Sequence, residues 1–168
     1  MDYQKNSLDG IERKRCCTDM ELIIFIGIQA TGKSEFYKQN FYKTHIRLNL
    51  DMLKTRNREN ILLEACIRAK QPLVIDNTNP TVNDRSKYFE AGKKAGFKII
   101  GYYFSSSIAD AIARNSRRDG TECVPAPAIL GTHKRLELPK ISEGFDELWY
   151  VRIDEKAGFD VEVYDDEI

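Results

Sequence analysis

The segment Gly27-Ile28-Gln29-Ala30-Thr31-Gly32-Lys33-Ser34 constrains this chain more than any other. It fits G-x-x-x-x-G-K-[ST], a loop whose backbone N–H groups turn inward to cradle phosphate oxygens. The motif works only between a strand and a helix, and the flanks comply: Leu22–Gly27 is an apolar run that predicts a strand, and Glu35–Phe41 predicts a helix. Gly27 and Gly32 permit the turn, and the positive end of the helix favours the enclosed anion. Lys33 is placed to reach the β- and γ-phosphates, and Ser34 to put its hydroxyl on Mg²⁺. The competing interpretation, a glycine turn with a chance lysine, does not explain the strand before it or the helix after it. All eight residues are therefore assigned to ATP.

Around that loop the chain alternates short apolar runs with amphipathic stretches, the sequence form of βα units and a mainly parallel sheet. Expected strands are Leu22–Gly27, His45–Leu50, Leu73–Asp76, Lys98–Phe104 and Leu148–Ile153, with a sixth over Asp160–Tyr164 after a turn at Lys156–Gly158. Thr81 stands three residues before Asp84 in capping-box spacing, and Gly96 supplies a left-handed stop, so 81–95 is expected as one helix. Leu62, Ala65, Cys66 and Ala69 are expected to form the sheet-facing side of the preceding helix. Residues 1–20 show no sustained periodicity and are read as a flexible leader, with 21–168 as one domain. The fold class is α/β, a P-loop fold with a parallel sheet flanked by helices.

Composition narrows the partners. Lys plus Arg and Asp plus Glu number 26 each in 168 residues, so no global positive field draws in nucleic acid, and any polyanion site is a local patch. Four cysteines without a CxxC pair, beside two histidines, argue against a zinc cluster and fit reduced thiols in a cytosol. The longest apolar run, Leu22–Ile26, is too short to cross a bilayer. A soluble, cytoplasmic protein is expected.

Three further features suit phosphoryl transfer. Asp76 ends the apolar strand Leu73–Ile75, where a carboxylate can join the Mg²⁺ shell, although an aspartate there also serves as a simple cap. Asp51 follows the second strand, whose carboxyl end faces the same crevice as the phosphate loop, so it is the candidate general base; its alternative is the N-cap of the next helix. Arg114, Arg117 and Arg118 share one face if Asp110–Arg118 is helical, and they repel one another without an anion. The chain then runs through Asp119-Gly120-Thr121 into Pro125–Pro127, which reads as a covering loop over ATP; the plainer alternative is a solvated charged face. Arg114 and Arg118 are assigned to ATP with this lid.

The run Leu73-Val74-Ile75-Asp76-Asn77-Thr78-Asn79-Pro80, then Arg85-x-x-Tyr88 and the helix to Gly96, resembles the kinase domain of polynucleotide kinases, AAA-like P-loop enzymes that phosphorylate 5′-hydroxyl ends. The likeness spans residues 22–150 and takes in Asn49-x-Asp51, the arginine-rich lid and Glu143-Gly144-Phe145. The resemblance implies an adenylate-kinase-like fold in which Asp51 takes the hydroxyl proton and Arg118 stabilises the transferred phosphoryl group. Asn77, Asn79 and Arg85 would lie on the acceptor side. One departure stands out: many members carry Arg before the catalytic Asp, and this chain has Leu50. Lys54, Arg56 and Arg58 follow closely and either supply that cation or form a solvated turn. A DxDGT phosphatase signature is absent, so kinase activity alone is expected. A small-molecule kinase acting on a nucleoside or sugar hydroxyl, and a nucleotide-dependent binding module without transfer, are the alternatives.

Overall fold

The computed structural model describes residues 20–118, 120, 123–154 and 158–164. The leader assigned to residues 1–20 falls almost wholly outside the described residues, as do Asp119, Thr121 and the turn residue Lys156. Six strands form one sheet: β1 (Glu21–Ile26), β2 (Ile46–Leu48), β3 (Leu73–Ile75), β4 (Lys98–Phe104), β5 (Glu147–Asp154) and β6 (Gly158–Val163). Their order is β2-β3-β1-β4-β5-β6, parallel throughout except for β6, which returns antiparallel to β5. Among the described residues no helix is long and apolar enough to cross a membrane.

β1 explains why the sheet needs a cover on both sides. All six of its residues are buried, and strand alternation sends Leu22, Ile24 and Ile26 to one face and Ile23 and Phe25 to the other. On the first face they meet Leu63 and Cys66 of α3 (Arg56–Ala69) and Tyr88 and Phe89 of α4 (Val82–Lys94). On the second, Phe25 packs edge-on against Phe36 of α1 (Lys33–Asn40), with ring centroids 5.9 Å apart. α1 is thus held from below by aromatic packing, and its N-terminus is fixed above the ends of β1 and β3.

α4 begins and ends as its residues dictate. Thr81 and Asp84 form a reciprocal capping box, and Gly96 follows the helix at φ 80°. Two helices depart from expectation. The inward stripe of α3 is Glu59, Leu63 and Cys66; Leu62, Ala65 and Ala69 are exposed. Thr55 caps α3 and sets its phase, and the inward stripe carries a carboxylate, which apolar spacing alone does not find. α5 (Ile108–Asn115) stops short of Arg118 because Asn115 turns to the next segment, donating to Val124 O at 2.7 Å and accepting from Val124 N at 2.9 Å. Arg114, Arg117 and Arg118 therefore do not share a helix face. Pro125–Pro127 is not a loop either: it opens α6 (Ala126–Arg135), where a proline in the first turn costs no hydrogen bond.

Candidate active site

The phosphate loop is fastened at several points. Gly27 N donates to Thr78 O at 3.0 Å, which joins the loop to the segment after β3. Gly27 has φ 146°, and a Cβ there would lie 2.7 Å from Phe104 O, so no larger residue fits without moving β4. Gln29 Nε2 donates to Thr132 Oγ1 of α6 at 3.0 Å, and Arg114 Nε donates to Ala30 O at 2.8 Å. Gly32, at φ 84°, lies against the Phe159 ring of β6. Arg114 thereby fastens the loop, while Arg118 stands exposed beyond α5.

Lys33 is buried, and its Nζ donates to Gly27 O at 2.9 Å, to Ile28 O and to Thr31 Oγ1 at 3.2 Å. Burial pulls its pKa down to about 8; Asp76 and Asp51 push it up and Arg118 pushes it down. Three of the charges picked out from sequence for catalysis therefore act on the fourth, Lys33. Beside Lys33, Ser34 Oγ donates to Asp76 Oδ2 at 3.0 Å. Asp76 is 2% exposed, so its carboxylate faces inward to this corner and not to solvent. The same two oxygens also receive Arg47 of β2: Nε donates to Asp76 Oδ2 at 2.8 Å and Nη2 to Ser34 Oγ at 2.8 Å. Two hard oxygen donors converge where a cation already sits, which fits the residues to Mg²⁺.

Asp51 lies in the short helix α2 (Leu50–Leu53), on the exposed side. It is not the cap. Asn49 is, accepting from Met52 N at 3.1 Å, and its Nδ2 donates to Asp76 O at 2.5 Å. Asn77 holds the same helix from the other side, accepting from Leu50 N at 2.9 Å while donating to Glu59 Oε1 at 2.7 Å. Glu59 is fully buried; burial pushes its pKa up, but Arg56, Lys87 and Tyr88 outweigh that and hold it below the ordinary range. Among the described residues none donates a hydrogen bond to the Asp51 carboxylate, which is open to a substrate.

The residues assigned to the acceptor side divide. Asp51 and Lys54 are exposed, Lys54 closing α2 at φ 69°. Asn77, Asn79 and Arg85 are buried and committed to the fold. Asn79 donates to Phe25 O at 2.7 Å, and Arg85 is 0% exposed, with Nε and Nη2 each 2.7 Å from the Glu143 carboxylate. A bidentate pair of that kind leaves the guanidinium no face for an acceptor. Arg56 is paired with Glu59 at 2.8 Å, and Arg58 donates to Leu53 O at 3.2 Å. Sequence reasoning missed Arg47 and Glu59, and it named Asn49 without its role as the cap of α2. A signal existed for Arg47, a lone charge alternating with Ile46 and Leu48, and for Asn49, three residues before Met52 in cap spacing.

Comparison with known proteins agrees with this geometry. The profile of the AAA domain matches residues 22–139. The chain belongs to the AAA domain family. Like other P-loop kinase folds, this AAA domain has a mostly parallel sheet between helices. It is similar to the bifunctional polynucleotide phosphatase/kinase of Schizosaccharomyces pombe, 24% identical over 131 residues. That match takes in 74% of this chain and 32% of the relative, so the chain spans about a third of the relative's length. In fold it is similar to Chaetomium thermophilum Kti12 in complex with ADP-AlF3, with TM-score 0.63 and 15% identity over 80% of this chain and 92% of that one. A gluconokinase from Sinorhizobium meliloti 1021 gives TM-score 0.55 and 17% identity over 78% and 81% of the two chains. Phe104, Lys33 and the charges around Lys33 thus sit in a nucleotide-binding, kinase-type domain.

Proposed function

We propose that residues 21–168 of this AAA domain work as one ATP-dependent phosphotransferase whose acceptor is the 5′-hydroxyl end of a polynucleotide. The observation that carries the reading is the corner built on the phosphate loop, where Lys33 is buried with its Nζ on Gly27 O at 2.9 Å, Ser34 Oγ donates to Asp76 Oδ2 at 3.0 Å, and Asp51 stands exposed on α2. Asp51 accepts the hydroxyl proton as the acceptor oxygen bonds to the γ-phosphorus, and the bond to the β–γ bridging oxygen breaks to release ADP. Lys33 and Arg118 offset the charge on the phosphoryl oxygens. Ser34 and Asp76 would hold Mg²⁺, which supplies further charge neutralisation at the β- and γ-phosphates. A cavity of about 200 Å³ is lined by Ser105, Ser107, Asp110, Arg114 and Arg152 among others, and Arg114 ties it to the loop through Ala30 O. The polynucleotide acceptor is supported by the Asp76–Pro80 run and by the relative's name. A reducing, cytoplasmic setting suits the free thiols of Cys66 and Cys123.

Leu50 favours a second reading, a small-molecule kinase, because a half-buried leucine stands where a cation would hold an acceptor phosphate. γ-Labelled ATP offered with a 5′-hydroxyl oligonucleotide, then with a panel of nucleosides and sugars, separates the two. Label on the oligonucleotide is the expected result. Label only on a small alcohol would replace the acceptor, and ATP binding without any transfer would leave a nucleotide-dependent binding module.

A further inference from the structure

Arg47 has no part in the phosphate-loop motif or in the proposed transfer, yet it occupies the centre of the metal corner. It lies in the middle of β2, where alternation with Leu48 turns it to the α1 face of the sheet. Tyr37 of α1 lies beneath it, with the guanidinium carbon 5.6 Å from the ring centroid. From there the fork reaches both candidate metal ligands at once: Nη2 lies 2.6 Å from Asp76 Oδ2 and 2.8 Å from Ser34 Oγ, and Nε is 2.8 Å from Asp76 Oδ2. Its side chain is 27% exposed and that of Asp76 2%, so the pair is largely shielded from water.

We propose that Arg47 is a resident counter-cation that competes with a free divalent metal for Ser34 and Asp76 and yields only when the metal arrives with a nucleotide. The proposal rests on the reading of Ser34 and Asp76 as metal ligands. One carboxylate and one hydroxyl are a sparse donor set for Mg²⁺, which keeps most of its water and leans on substrate phosphates. A guanidinium bonded to both removes what affinity they have for the bare ion. The phosphate oxygens of a nucleotide would add donors and negative charge for the metal, and the balance would turn. Arg47 need not leave altogether, since the Nε bond to Asp76 can persist while Nη2 releases Ser34. A lysine, with one point of charge and no fork, cannot divide itself in that way.

The test is Mn²⁺ binding to the protein without nucleotide, read from the electron paramagnetic resonance signal of free Mn²⁺. Hydrogen bonds to charged groups of this kind weigh about 10- to 100-fold in a competing equilibrium. Arg47→Met keeps the stem over Tyr37 and should bind free Mn²⁺ about 10- to 100-fold more tightly than the parent. Adding Asp76→Asn should abolish the gain. If Arg47→Met does not fold, Arg47→Lys serves, with an affinity between the parent's and that range expected. Parent-like affinity in the folded Met or Lys variant overturns the proposal, as does a gain that survives Asp76→Asn. Mn²⁺ binding in the presence of a non-hydrolysable ATP analogue tests the underlying reading separately. If Ser34→Ala leaves that ternary binding unchanged, Ser34 is not a metal ligand and the proposal falls with it.

Discussion

Asp51→Asn separates chemistry from architecture at the point where the proposed mechanism depends most on one side chain. The carboxylate is exposed, receives no hydrogen bond among the described residues, and is not the cap of α2, a task that Asn49 performs. Its replacement by an isosteric amide should therefore change stability by no more than about 0.5 kcal/mol, the range of ordinary surface substitutions. Loss of the base should slow transfer by ~10²-fold or more at saturating ATP. A second effect has a fixed sign. Asp51 holds the Lys33 pKa up, so its neutralisation should move that pKa below about 8 and shift the alkaline fall in ATP affinity to lower pH. Steady-state kinetics across pH 6 to 10, ATP binding by calorimetry and thermal melting together make the assay. A variant with unchanged Tm and full activity would refute the base role. One with lost activity and a Tm lower by many degrees would show that Asp51 is structural.

Lys33 should titrate in the working range: kcat/KM for ATP should fall as pH rises through about 8, because the uncharged amine no longer attracts the phosphates. Its folded pKa lies below the ordinary 10.5, so the unfolded chain binds more protons between about 8 and 10.5 and this group's contribution to stability rises with pH across that window. At pH 7 the full cost of burying the charge is present, so Lys33→Met should abolish transfer while raising unfolding free energy by about 1–3 kcal/mol; a clear fall in denaturant midpoint would contradict the desolvation argument. Arg118→Ala should lower kcat by orders of magnitude with little change in Tm, whereas an effect confined to the KM for ATP would make it a binding group. Arg85→Met should cost about 3–5 kcal/mol in urea unfolding by leaving Glu143 buried and unpaired, and a stability loss below about 1 kcal/mol would return Arg85 to candidacy as an acceptor contact.

Features encoded by neighbouring residues were legible in the sequence. The phosphate loop, the Thr81–Asp84 capping box and the stop at Gly96 each depend on a few consecutive positions, and all appear where their spacing puts them. What failed needs the third dimension. The phase of α3 turns on a buried Glu59, whose four partners Arg56, Asn77, Lys87 and Tyr88 come from two helices and the segment after β3, so its polarity pointed outward while its contacts drew it in. The three arginines looked like one helical face because nothing local announces that Asn115 will leave α5 for Val124. Arg47 becomes a metal-corner residue only because β2 pairs with β3, whose end carries Asp76. The burial of Asn77, Asn79 and Arg85 and their bonds to Glu59, Phe25 O and Glu143 were not legible either, since burial and pairing are not written in residue type.

The Asp76–Asn79 segment shows why so short a run carries so much. Each of its four residues fastens a different part of the site. Asp76 faces Ser34 and Arg47 with its carboxylate and receives Asn49 on its carbonyl. Asn77 accepts from Leu50 N and donates to Glu59, so it joins the helix bearing Asp51 to α3. Thr78 gives its carbonyl to Gly27 N at the start of the phosphate loop, and Asn79, at φ 43°, donates to Phe25 O of β1. A change of one residue in length would break the register of all four at once. The distance between the proposed base on α2 and the phosphate loop is set through this segment, which bonds to both. Catalysis by positioning tolerates little slack, since a misplacement of about 1 Å costs ~10²-fold in rate. Geometry therefore demands the side chains of Asp76, Asn77 and Asn79 and the backbone carbonyl of Thr78, although only Asp76 among the side chains is placed to meet a ligand.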